Sequence, residues 1–166
     1  MDGQYDLLLE MRKATRRQHH VANALILAKL VVVLTDQKLY AKALASFLPV
    51  YSKLEQLMKE HADVPGLQLV VSAAQSIPSR AAAMEEDLQH LLGKDWQSAV
   101  PASVPAKAYV DHLQQLADND PVRLLPYVFS MHIPILLGFL AQRIQRTLQL
   151  PNKQGLAFFT VSVAGV

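Results

Sequence analysis

The chain contains no cysteine. That excludes disulfides, thiolate metal sites and cysteine nucleophiles, and it suits a reducing compartment. A cleavable secretory signal is also missing, since the first ten residues carry Asp2, Asp6 and Glu10 and no apolar core. Long apolar runs are absent: Ala24–Leu34 is broken by Lys29, and Ile133–Ala141 is short. Both fall well below the ~20 residues a membrane span needs. Neither sign of charge dominates, with 16 Lys and Arg against 14 Asp and Glu. A net charge of +2 without basic–aromatic interleaving gives no footing for nucleic-acid binding. No repeat, low-complexity tract or serine-centred hydrolase elbow is present.

What remains is a chain of 166 residues, 51% hydrophobic and 18% charged, enough for one domain with a substantial core. Its apolar spacing is helical, and no strand alternation occurs outside the tail, so the class is all-α. A cytoplasmic location is expected, and an organellar one is compatible.

The spacing predicts a first helix over about Tyr5–Ala28, followed by a buried crossing at Leu30–Leu34. Thr35 or Asp36 caps a second helix over about Gln37–His61. Pro49 lies inside it and predicts a kink near Ala45–Pro49. Leu67–Ala74 reads as a short helix after the Val64-Pro65-Gly66 turn. Pro78 and Ser79 open a helix over about Ser79–Leu92, closed by Gly93. Pro101 and Pro105 bound a loop before a helix at about Ala106–Ala117. Asp120-Pro121 then starts the last long segment, Val122–Leu148, bent or broken at Pro126, Pro134 and Gly138. Its centre, Phe129–Leu140, is almost wholly apolar and is expected to be buried nearly all round.

Leu8, Met11, Thr15, His19, Ala22 and Ile26 fall on one stripe of the first helix, edged by Arg12, Lys13, Arg16 and Arg17. One imidazole on a small, apolar stripe with a basic border suits a flat, apolar, anionic ligand containing a metal. The plainer reading of this pattern is a surface or half-buried helix histidine. His20 lies about 100° away and points elsewhere. Asp87-x-x-His90 is the nearest approach to a di-iron carboxylate motif, but it lacks partner pairs, and Glu85, Glu86 and Asp87 otherwise read as a solvated helix face. His61, His90 and His112 read as surface or cap residues.

Several segments, in order and at compatible spacing, resemble the haem oxygenase family. They are Ala14-Thr15 with His19, Ala22 and Asn23; Tyr40, Ala45-Ser46-Phe47, Tyr51, Leu54-Glu55 and Met58; and Arg80, Ala82-Ala83, Glu85, Asp87-Leu88, Gly93 and Trp96-Gln97. Tyr109-Val110, Leu113, Asp120-Pro121, Leu124-Leu125 and Gly155-Leu156-Ala157-Phe158-Phe159-Thr160 continue the series. The resemblance implies a single-domain helical bundle over residues 1–166. It further implies that haem is held between a proximal and a distal helix and opened by O2 to biliverdin, carbon monoxide and iron. Electrons would then come from a reductase or ferredoxin. It implies His19 as the iron ligand, Arg12 as a propionate partner, Thr15 beside the ring, and Asn23 where the family has Glu near the ligand's second nitrogen.

The sequence departs from the family in two places. Where the family carries Gly-Asp-Leu-Ser-Gly-Gly, this chain reads Ile133-Pro134-Ile135-Leu136-Leu137-Gly138. Gly138 alone is kept, and it is the candidate catalytic position where backbone lies against the reacting face. Pro134 replaces an Asp and relays no proton, while Ile133 and Leu137 bring bulk toward the ring. His132 beside them is a candidate distal ligand or a partner for a carbonyl freed by proline. The family's later helices are missing, so Phe158 and Phe159 are expected on an open side, which a homodimer would cover. Two functions follow: haem cleavage, or haem binding without turnover in a regulatory role.

Overall fold

The computed structural model describes the backbone of residues 7–75, 77–100, 103–132, 137–151 and 154–160, apart from the side chains of 7, 8, 11, 12, 27, 74, 75, 132 and 137–140. The described elements are helical throughout. They are α1 (Leu7–Val33), α2 (Gln37–Glu60), α3 (Gln68–Gln75), α4 (Arg80–Leu92), α5 (Trp96–Ala99), α6 (Val104–Asn119), a 3-10 turn (Pro121–Leu124), α7 (Leu125–His132), α8 (Leu137–Leu148) and a final 3-10 turn (Ala157–Phe159). No helix is long and apolar enough to cross a membrane, among the described residues.

Local chemistry sets most boundaries. Asp36 Oδ1 accepts from the amides of Lys38 and Leu39 at 2.6 and 3.1 Å and starts α2. Ser79 caps α4 through the Ala82 amide at 3.1 Å. Gly93 ends α4 at φ 88, a left-handed conformation glycine adopts without a Cβ clash. Asp120 accepts from Val122 at 3.2 Å and opens the turn leading to α7. Pro49 lies within α2, which continues on both sides of it.

The central wall is α2, because its apolar residues serve two cores. Tyr40, Leu44, Leu48 and Tyr51 join Met84 and Leu88 of α4, Ile144 and Leu148 of α8, and Leu156 and Phe158. Val50, Leu54, Leu57 and Met58 join Leu67, Val71 of α3, Leu113 of α6, Leu124 and Val128 of α7. α1 meets this body near its C-terminal end, where Leu30, Val33 and the following Leu34 pack on the first core.

Three expectations need correction. Leu30–Leu34 is no buried crossing: α1 runs to Val33, Val31 and Val32 are exposed, and only Leu34 is buried. Phe129–Leu140 is not buried all round, since Phe129 is 69% exposed. α7 packs through Leu125, Tyr127, Val128 and Met131, and Phe129, next after Val128, is rotated about 100° further round the helix. Phe158 is buried and Phe159 packs partly against the first core, so the expected exposure of this pair is wrong.

Leu54 is fully buried beside Leu57 in the second core. Leu54→Ala is expected to reduce unfolding free energy by about 2–5 kcal/mol, read from urea midpoints at unchanged slope.

Candidate functional site

The stripe singled out in the sequence lies on α1. Thr15, His19, Ala22, Asn23 and Ile26 are all exposed. No hydrogen bond to the His19 side chain exists among the described residues. Continued along α1 at helical spacing, the stripe from Thr15 through His19, Ala22 and Ile26 leads to Leu30 and Val33. Those last two are the residues that pack on the body of the protein. His19 therefore lies on the helix face that turns toward the bundle, and Thr15 and Ala22 beside it are small. An exposed imidazole between small neighbours leaves room for a flat metallated ring, so the donor set fits haem on this side. Lys13 is tied to Glu10 at 2.9 Å, while Arg16 and Arg17 are exposed.

Arg12 stands in α1, and its side chain lies outside the described residues. Leu137 and Gly138 form the first turn of α8, and His132 is the last residue of α7. The side chains of His132 and Leu137 lie outside the described residues, as do Ile133 and Pro134 altogether. The structure thus brings Thr15, His19, Ala22 and Asn23 onto one helix, and the two helices that flank the altered stretch are both present.

A second polar group joins α2, α4 and the C-terminal turn. Glu55 accepts from the amides of Arg80 and Ala81 at 2.6 and 3.2 Å and from the Ser79 hydroxyl at 2.6 Å. With Ser79 serving Ala82, the first-turn donors of α4 are all met. One and a half turns further on, Asp87 is fully buried and accepts from Ala157 at 2.6 Å and Phe158 at 2.9 Å. Arg80, also buried, donates from Nη1 to the Phe158 carbonyl at 2.7 Å, with its guanidinium 5.8 Å from the Phe158 ring centre. The Tyr40 hydroxyl donates to the Gly155 carbonyl at 3.1 Å. Gly155 has φ 78, and a Cβ there would meet Leu91 Cδ2 at 3.2 Å. The Tyr51 hydroxyl donates to the Met131 carbonyl at 3.2 Å, at the end of α7.

Burial governs the titration of this group. It pushes Asp87 up to about 6, only partly offset by the two amides it accepts from. Tyr51 is pushed up to about 12 by burial, and Tyr40 is raised further by burial and then by the Asp87 charge. Arg80 is lowered by burial, against the pull of Tyr51 and Glu55.

The reading of Asp87 as part of a solvated face is therefore wrong: it faces inward while Glu85 and Glu86 are exposed. Its partners lie 70 and 71 residues away, so no local pattern signals them. With both oxygens engaged by backbone and His90 exposed, the Asp87–His90 pair is not assembled as a metal site. Among the described residues no three His, Asp or Glu gather around a common point. His61 caps α2, His90 lies in the last turn of α4, and His112 pairs with the Tyr127 hydroxyl at 2.8 Å.

Comparison with known proteins adds an independent line. The sequence profile of the family described as Heme oxygenase matches residues 5–163. A heme oxygenase of Rhodella violacea is 26% identical over 157 residues, covering 93% of this chain and 66% of that protein. The chain spans 62% to 66% of the length of the first curated relatives it matches. Heme oxygenase 2 of Chlamydomonas reinhardtii, solved without heme, superposes with TM-score 0.82 at 30% identity, over 96% of this chain and 75% of that one. Heme oxygenase-1 of Synechocystis sp. PCC6803, solved with heme, gives TM-score 0.75 at 26% identity, over 91% of this chain and 68% of that one.

The raised Asp87 pKa means that the folded chain holds a proton there more tightly than the unfolded chain. Its contribution to stability is present below pH ~4 and is lost as pH rises through about 6. Asp87→Asn replaces one acceptor by a donor facing an amide, and is expected to cost about 1–3 kcal/mol. Urea midpoints from pH 4.5 to 7.5 should fall more steeply in the parent than in this variant. Parallel pH slopes would show that Asp87 does not titrate in this range.

Proposed function

The chain belongs to the haem oxygenase family, and on that footing we propose that it binds haem through His19 and cleaves it oxidatively to biliverdin, carbon monoxide and iron, with electrons drawn from a reductase or ferredoxin. The observation that carries this reading is the position of His19: an exposed imidazole without a partner among the described residues, on the face of α1 that leads into its contact with the bundle.

Haem, when bound, is both the oxygen-activating group and the substrate. The chain's residues bind and orient it. The His19 imidazole would hold the iron, and Thr15 and Ala22 beside it are small enough to leave space for the ring. Asn23, one turn beyond His19, supplies an uncharged acceptor where Glu would supply charge, so the ligand is less basic than in such relatives. Arg12 neutralises a propionate. Gly138, in the first turn of α8, would let backbone lie close to the opposite face, and Ile133 and Leu137 would bring apolar bulk toward it. Pro134 offers no proton, so proton delivery on that side runs through solvent rather than through a carboxylate.

The test is titration of the full chain with ferric haem, followed by ascorbate in air. Decay of the Soret band with growth of biliverdin absorbance is the expected result. A stable ferric or ferrous spectrum would overturn turnover. His19→Ala is expected to weaken binding about tenfold or more, 1.4 kcal/mol or more, and to lose the histidine-ligated spectrum. An unchanged spectrum would overturn the ligand assignment.

A further inference from the structure

α6 and α7 meet through three rings and one polar contact. The Tyr127 hydroxyl of α7 lies 2.8 Å from His112 Nε2 of α6. The two ring centres are 5.8 Å apart at 61°. Tyr109, three residues before His112 on the same face of α6, stands edge-on to both, 6.0 Å from Tyr127 and 6.3 Å from His112. Tyr127 is half-buried against the second core, while His112 is exposed.

The nature of its partner marks this phenol. The Tyr40 and Tyr51 hydroxyls donate to the carbonyls of Gly155 and Met131, and a carbonyl takes no proton. The Tyr127 hydroxyl instead faces an imidazole, which is a base near neutral pH. Taking an electron from a phenol makes its O–H strongly acidic, so the oxidation needs a place for the proton. With its ring proton on Nδ1, His112 offers the Nε2 lone pair already at hydrogen-bond distance. The chain also has no cysteine to take an oxidising equivalent first.

We infer that Tyr127 and His112 form a redox-active pair, in which Tyr127 gives one electron to a strongly oxidising metal complex and its hydroxyl proton to His112. The phenol O–H bond breaks and an Nε2–H bond forms. The metal complex is reduced by one electron, and Tyr127 becomes a neutral phenoxyl radical. A one-electron reductant such as ascorbate returns the electron, and His112 returns the proton. Burial suits this division of products. The neutral radical forms on the half-buried ring, and the positive charge forms on the exposed imidazole, where water solvates it. Tyr109 meets His112 edge to face rather than through a hydrogen bond, and burial raises its hydroxyl above the usual phenol range. It covers the radical and does not donate. A mere strut between α6 and α7 would be served by any donor and acceptor; the redox pair needs the base.

The test uses the full chain without haem, oxidised by flash-generated tris(bipyridine)ruthenium(III). Freeze-quenched samples should show a tyrosyl signal in electron paramagnetic resonance that Tyr127→Phe loses and Tyr109→Phe keeps. A nitroso spin trap should label Tyr127 on peptide mapping. His112→Gln keeps a hydrogen-bonding partner without a base, and should slow tyrosine oxidation about tenfold or more. Added imidazole should restore the rate in His112→Ala and leave the parent unchanged, a response that a strut does not give. Far-UV circular dichroism checks that each variant is folded. An unaltered signal in Tyr127→Phe, a trap adduct on Tyr109, or oxidation of His112→Gln at the parent rate would overturn the pair. No step uses haem, so a failure here is distinguishable from a failure of His19.

Discussion

The fold depends on one carboxylate holding a helix end across the core. Glu55 of α2 takes the first two amides of α4 and the hydroxyl of its cap. Left unpaired, those donors would each cost about 1–3 kcal/mol in this half-buried position. Once α4 is fixed, Arg80 and Asp87 are carried into place from its inner face, and they in turn take the backbone of Ala157 and Phe158. Order therefore passes from α2 to α4 to the final turn through backbone groups, each held by a side chain from the previous element. Leucine packing supplies most of the driving force in both cores, but it is non-directional and does not fix where the C-terminal segment lies. The carboxylates and the guanidinium do.

The residues proposed to bind haem are separated from this construction. The two cores are built mainly by α2 to α8 and the last turn, with Leu30, Val33 and Leu34 added at the end of α1, whereas His19 and its neighbours are not members of either core. Such a division lets the exposed helix carry polar and small residues that would weaken a core position. It also gives α1 two independent faces, one turned toward the bundle and one away from it.

Much of this arrangement is legible in the residues because caps and turns are local chemistry. Asp36, Ser79, Gly93 and the Asp120-Pro121 pair mark their boundaries within a few residues of themselves, and the observed elements begin or end there. The His19 stripe is equally local, a matter of helical spacing. What cannot be read this way is burial imposed by distant partners. Asp87 sits between Glu86 and Leu88 on a helix rich in charge, and nothing nearby announces two amides 70 residues downstream. Phe129 misleads in the opposite direction: an apolar neighbourhood suggests enclosure, yet Leu124, Val128 and Met131 turn toward the core while Phe129 is left outside. Val31 and Val32 mislead likewise, since β-branched residues on a helix that extends past its contact are left outside.

The attachment of α1 has a geometric consequence for the imidazole. Leu30 packs on the first core, and eleven residues of helix separate it from His19, a rigid arm of about 16 Å. A tilt of about 10° at the joint would carry the ring nitrogen roughly 3 Å, more than the tolerance of a metal–ligand bond. On the proposed reading of His19 as the iron ligand, its alignment is set by the packing of Leu30, Val33 and Leu34 as much as by residues beside the histidine. A substitution at that joint would act as a change of angle, felt in full only at the far end.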